Sequence, residues 1–385
     1  MGKKTYISLW SITVVCAALL VAELWVRANY ADVQLPPAPN ALSLPDDLVQ
    51  QDPILGYHFV PNASKFFASV NGEFKVNYQI NEVGLRDSGM FKSGPKQPLV
   101  VILGDALVEG WGVMPEATFI LEMQRQLRFQ KGAKIYPRIV NAGMTGFGAA
   151  QSYLLGKQLI EKHNPQAVVF AYSSLMPTAD FRFLEHAELN SAGLATNINP
   201  DHPIWTTATS QPKPWLAKLI LYDLLNQYLA ARRARDAVQP GNPENDIFAA
   251  ARGPHENNLA LHQQSLKYVA ALADIAAKRG IKFVLLHIPL PHQVAVDEWA
   301  KGRVGHKLET KIYPSPESAL LETLCAEKNI HCAMLLPIIK QLTEERSSPV
   351  YFRHDYALTE VGHAAIVDFL IDTVRGLLGI ELPKD

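Results

Sequence analysis

Apolar positions in the body of this chain fall into two alternating kinds of segment. Residues 99–103, 139–141, 167–172 and 282–288 are short and almost continuously apolar, without the period-two alternation of a strand that has one wet face. Such runs predict strands covered on both faces. A weaker run at 331–335 predicts a fifth. Between them, apolar residues recur at helical spacing over 117–130, 149–163, 257–279, 317–328 and 359–378. Strands and helices in this alternation predict an α/β, three-layer fold: a parallel sheet of about five strands with helices on both faces.

Two stretches break the rhythm. Residues 187–253 carry six prolines and one helical pattern near 216–235, and predict an insertion or lid. Residues 52–87 precede the first buried strand and alternate in Phe74-Lys75-Val76-Asn77-Tyr78, which predicts a small β-rich lead-in. There is no internal repeat.

At the N-terminus, residues 6–26 form one apolar stretch of the length a helix needs to cross a bilayer. Lys3 and Lys4 precede it, Arg27 follows, and Trp10 and Trp25 stand near its ends. The charge placement predicts a single-pass transmembrane helix in the cytoplasmic membrane, N-terminus inside and body extracytoplasmic (periplasmic). A cleaved signal peptide is the competing reading, and it sends the body to the same side. Glu23 is the one charge in the stretch, near enough to its outer end to reach the interface. Pro36, Pro37 and Pro39 then predict an extended spacer. The domain reading is therefore an anchor at 1–30, a Pro-rich linker at 31–50, a β-rich preamble at 51–95, and a main domain at 96–385 holding the insertion.

Composition narrows the functional classes. Lys and Arg total 36 against 37 Asp and Glu, a formal net charge of −1. That balance excludes a dominant nucleic-acid role, which needs a clear excess of cations. Three cysteines cannot build a disulfide framework or a four-cysteine zinc site, and no His/Asp/Glu cluster has metal spacing, so no metal site is expected. Cys325 and Cys332 are either bridged, as an oxidising compartment would allow, or two separately buried thiols.

Three blocks sit where an α/β fold presents reactive groups, at the carboxyl ends of its strands. The first is Gly104-Asp105-Ala106-Leu107-Val108-Glu109-Gly110-Trp111-Gly112, after the first strand. The second is Asn141-Ala142-Gly143-Met144-Thr145-Gly146, after the second. The third, Asp355-Tyr356-Ala357-Leu358-Thr359-Glu360-Val361-Gly362-His363, opens the last helix. In this order and spacing they resemble the SGNH (GDSL) hydrolase superfamily, and 52–57 with 80–87 resemble the preamble of its membrane-anchored esterase and O-acetyltransferase branch. The resemblance covers roughly residues 50–380 apart from the insertion. It implies a flavodoxin-like strand order, no cofactor, and ester hydrolysis or O-acyl transfer on an acylated cell-envelope or exported polysaccharide.

By the same resemblance, the nucleophile position is Ala106, the histidine position Ala357, the orienting acid Asp355 and an oxyanion donor Gly143, while Asp105 braces the first turn. The departures decide the chemistry. A hydroxyl must attack the acyl carbon and an imidazole must take its proton, and both positions hold a methyl. No Asn follows the third strand, where Ser173-Ser174 stands instead. His354, His363, His287 and His292 are expected to be loop or core histidines rather than substitutes. The chain as written is therefore expected to be catalytically dead. The double alanine fits either a deliberate inactivation or natural decay to a pseudoenzyme that binds or assembles with a protein partner in a membrane complex.

Overall fold

The computed structural model describes residues 3–30, 33–34, 48–69, 72–87, 97–129, 136–201, 219–253, 256–346 and 348–379. Helix α1 (Lys3–Tyr30) occupies the predicted anchor, followed by the two-residue strand β1 (Val33–Gln34). Most of the Pro-rich linker lies outside the described residues. Among the described residues no helix is long and apolar enough to cross a membrane. The expected transmembrane span is thus matched in helicity only. Glu23 turns toward the start of α6 (Ile220–Ala237).

The lead-in is β-rich, as predicted. It comprises the antiparallel pair β2 (Val49–Asp52) and β3 (Gly56–Phe59), then the pair β4 (Ser64–Ser69) and β5 (Lys75–Gln79). In β5 the alternation buries Val76 and Tyr78 and leaves Lys75 and Gln79 in water, the pattern of a strand with one covered face.

The main domain opens with β6 (Leu99–Gly104), the short α2 (Ala106–Glu109), α3 (Phe119–Phe129), β7 (Arg138–Gly143), α4 (Ala149–His163), β8 (Ala167–Tyr172) and α5 (Met176–Leu184). The hairpin β9 (Ala187–Leu189) and β10 (Ala195–Ile198) and helix α6 make up the described part of the insertion. Then come α7 (Glu256–Lys278), β11 (Lys282–His287), α8 (Pro291–Val294), α9 (Ala300–Gly305), α10 (Glu317–Lys328), β12 (His331–Met334), α11 (Leu336–Glu345), α12 (Glu360–Ala365) and α13 (Val367–Leu378).

The five predicted strands form one all-parallel sheet in the spatial order β7-β6-β8-β11-β12. In chain order that is 2-1-3-4-5, the flavodoxin-like doubly wound arrangement. Every residue of β6, β7 and β8 is buried, because successive side chains feed opposite faces that are both covered. Val101, Leu103, Val168 and Leu285 join one core with α4 and α7; Val100, Ile102, Val169 and Leu286 join the other with α3 and α13.

The insertion is not simply a lid. Phe248, Ala249, Ala250 and Ala251 at its end are fully buried, and Asp246 pairs with Arg252 there. That segment is core, so the predicted boundary near 253 falls inside packed structure.

Candidate functional site

The strand order reverses between β6 and β8, and ligands of open α/β sheets bind at such a switch point, beyond the carboxyl ends of the strands. Gly104 closes β6 there, and a Cβ at this position would collide with Val108. Only glycine lets α2 fold back so tightly. Asp105 is the N-cap of α2: its carboxylate accepts from the Leu107 N–H at 2.9 Å and from the Ser173 hydroxyl. Burial raises its pKa, while those two donors pull the other way. Asp105 caps α2, and Ser173 is its partner. Ala106 occupies the first position of α2 and is 2% exposed.

Gly143 lies level with Gly104 at the end of β7. Its N–H donates to the Asn141 side chain at 3.0 Å. The Met144 N–H goes to the Gly104 carbonyl at 3.0 Å, and the Thr145 N–H to the Glu109 carboxylate at 2.5 Å. All three consecutive donors of the second block are committed to protein acceptors. In this arrangement the Gly143 N–H, implied as an oxyanion donor, is held by a neighbouring amide oxygen.

Asp355 has both oxygens occupied. Oδ2 accepts from the Trp111 indole Nε1 and Oδ1 from the Ala357 N–H, each at 2.9 Å. Burial pushes its pKa up to about 6, against the pull of those donors, and the Glu73 carboxylate nearby adds to the rise. Ala357 is 1% exposed and belongs to the same apolar cluster as Ala106. The five candidates thus gather in a seam around α2, with both alanine side chains buried. Two clefts of about 580 and 490 Å³ are lined by other residues.

The lead-in builds much of this seam. Tyr78 donates to Glu109 at 2.5 Å, and Tyr57 donates to the Thr145 carbonyl at 3.0 Å. The Arg86 guanidinium reaches the carbonyls of Glu109, Gly110 and Val113 and lies 3.8 Å from the Tyr78 ring centroid. Asp87 pairs with buried Arg138 and accepts the Asn141 N–H at 2.7 Å. Residues 80–87 stood out in the sequence only by resemblance. That they strap the first two blocks together depends on contacts 23 to 54 residues apart.

The histidines behave as structural residues. His287 and His292 are fully buried and His363 is 1% exposed. His287 meets the Glu317 carboxylate at 3.1 Å, in a network with Gln293 and Ser315. Burial alone would raise the Glu317 pKa, but the hydrogen bond and charge of His287 hold it well below the usual range. His354 is exposed, and its backbone N–H is held by Glu73. Among the described residues no group of three His, Cys, Asp or Glu is placed to hold a metal ion.

No family model and no curated protein matches this sequence. Among solved structures, the psychrotrophic esterase EstA from Pseudoalteromonas sp. is similar at 13% identity, over 73% of this chain and 99% of that one, with a TM-score of 0.37. A lipolytic protein of the G-D-S-L family from Desulfitobacterium hafniense is similar at 11% identity, over 71% and 98%, with a TM-score of 0.37. A catalytic mutant of the acetylxylan esterase Axe2 from Geobacillus stearothermophilus is similar at 9% identity, over 76% and 98%, with a TM-score of 0.38. At these TM-scores the likeness carries no argument about activity.

Proposed function

We propose that this chain is a non-catalytic protein of the SGNH (GDSL) hydrolase type, whose parent chemistry is ester hydrolysis or O-acyl transfer on an envelope or exported glycan. It is held to the cytoplasmic membrane by α1, with its body on the outer side, and acts as a binding or assembly subunit. The observation that carries this reading is the pair of methyl side chains in the seam: Ala106 and Ala357 are 2% and 1% exposed in one apolar cluster. Neither position offers a nucleophile or a base, and acyl transfer needs both. The N–H groups of Gly143, Met144 and Thr145 are engaged by protein acceptors, which favours a site adapted to doing without chemistry.

The outward placement is supported by Lys3 and Lys4 before the apolar run. It is supported also by the Cys325–Cys332 disulfide, which suits an oxidising compartment. The test is an esterase assay of the full chain in detergent, with p-nitrophenyl acetate and acetylated glycans. The native sequence should show only background hydrolysis, and turnover at the rate of a working esterase overturns the proposal. The double variant Ala106→Ser/Ala357→His should stay near background. If turnover returns there, two side chains were all the site lacked, and the inactivated-enzyme reading wins over the adapted one.

A further inference from the structure

Glu23 is the anchor's only acidic residue, and the fold gives it a task. Its carboxylate accepts the N–H of Ile220 at 2.8 Å and of Leu221 at 2.9 Å, the first two residues of α6, while Arg27 pairs with it at 2.8 Å. A carboxylate on the free N–H groups of a helix start satisfies both the orphan donors and the helix dipole. Helix α6 is therefore fastened to α1 about two turns before α1 ends, level with exposed Leu24 and Trp25.

From that attachment α6 presents Leu225, Tyr228 and Leu229 to solvent, at 53%, 54% and 36% exposure. Their spacing of three and four puts them on one face. Arg232 and Arg235 continue along the helix near that face, with Arg233 beside them, all exposed. The single acid there, Asp236, lies 3.9 Å from both Arg232 and Arg235 and leaves the turn net positive. An apolar stripe with an aromatic and flanking arginines is the pattern of a helix lying in a membrane interface.

We infer that α6 is an interfacial helix lying on an anionic bilayer surface beside the anchor, with Leu225, Tyr228 and Leu229 among the acyl-chain ends and the arginines on lipid phosphates. The inference rests on the reading of α1 as a membrane anchor. Glu23 then sets the depth, because a helix start tied to α1 near its outer end cannot leave the interface. The insertion docks the body against the lipid.

The experiment uses the full chain reconstituted in vesicles of phosphatidylcholine alone or with phosphatidylglycerol, and a fluorophore on one cysteine. Native Cys16 reports the anchor; Leu225→Cys in a Cys16→Ser background reports α6. The disulfide leaves Cys325 and Cys332 unlabelled. The label at 225 should be quenched by lipids carrying a shallow spin label. Quenching should be about twofold stronger with phosphatidylglycerol, a gain abolished by Arg232→Gln/Arg233→Gln/Arg235→Gln. If the label at 225 stays open to aqueous iodide while Cys16 is quenched by deep spin labels, the anchor stands and the interfacial helix falls. Shielding from both iodide and lipid quenchers means a protein surface covers α6, which also overturns the inference. An unquenched Cys16 label overturns the anchor reading itself.

Discussion

Asp355 sits where a histidine two residues on would need it, yet Trp111 Nε1 and the Ala357 N–H already engage its two oxygens. Its pKa of about 6 lies above the ordinary carboxylate value, so the folded state holds this proton more tightly than the unfolded chain does. Stability is then lost as pH rises from about 4 through 6. Asp355→Asn keeps an acceptor for Trp111 and removes the titration. The variant should gain roughly 1–2 kcal/mol over the native chain at pH 8, discounted for partial solvent access, and nothing at pH 4. Urea unfolding at the two pH values checks this; an equal effect at both would show that the carboxylate charge is not the cause. The residues at 104–106, 141–143 and 355–357 were legible because each block's identity is local. What their N–H groups do was not, since Asn141, Glu109 and Gly104 reach them only through the folded sheet.

At the scale of elements, the five strands and most helices were legible from apolar spacing alone. The helices missed include α5, α8, α9 and α11, and all of these but α9 have a proline in the first turn. Proline reads as a breaker along a sequence, but a helix start has no use for the N–H that proline lacks. The long helix predicted at 359–378 is two, α12 and α13, meeting at Ile366. Between α10 and β12 the two cysteines are bridged, with Cα atoms 5.8 Å apart across a separation of seven residues. Such a small loop restricts the unfolded chain modestly, so reduction should cost about 2 kcal/mol. Thermal unfolding with and without reductant, against Cys325→Ser/Cys332→Ser, measures it. A stability independent of reductant would mean the two thiols are not joined.

At the scale of the whole molecule, buried histidines couple stability to acid pH. His292 is fully buried, donates Nε2–H to the Ala251 carbonyl at 3.2 Å, and packs edge-on against Phe248 and Tyr313. Its Nδ1 has no partner among the described residues, so protonation would strand a buried charge. Burial accordingly lowers its pKa to about 3. A depressed histidine makes stability full above about 6.5 and lost as pH falls below it. His292→Phe should cost about 1 kcal/mol at pH 7 through the lost hydrogen bond. It should also shrink the stability loss between pH 7 and 5 by about 2 kcal/mol, and an unchanged loss would place the acid sensitivity elsewhere. By itself the sequence determined the sheet, the two-faced burial, the turn positions and the two alanines within the turn blocks, because each follows from residue type and short-range spacing. Only the tertiary structure decided that Ala106 and Ala357 are buried, that residues 78–87 strap the seam around them, and that Glu23 holds α6. Those outcomes depend on donors and acceptors tens to hundreds of residues apart, which meet only once the strands are in order.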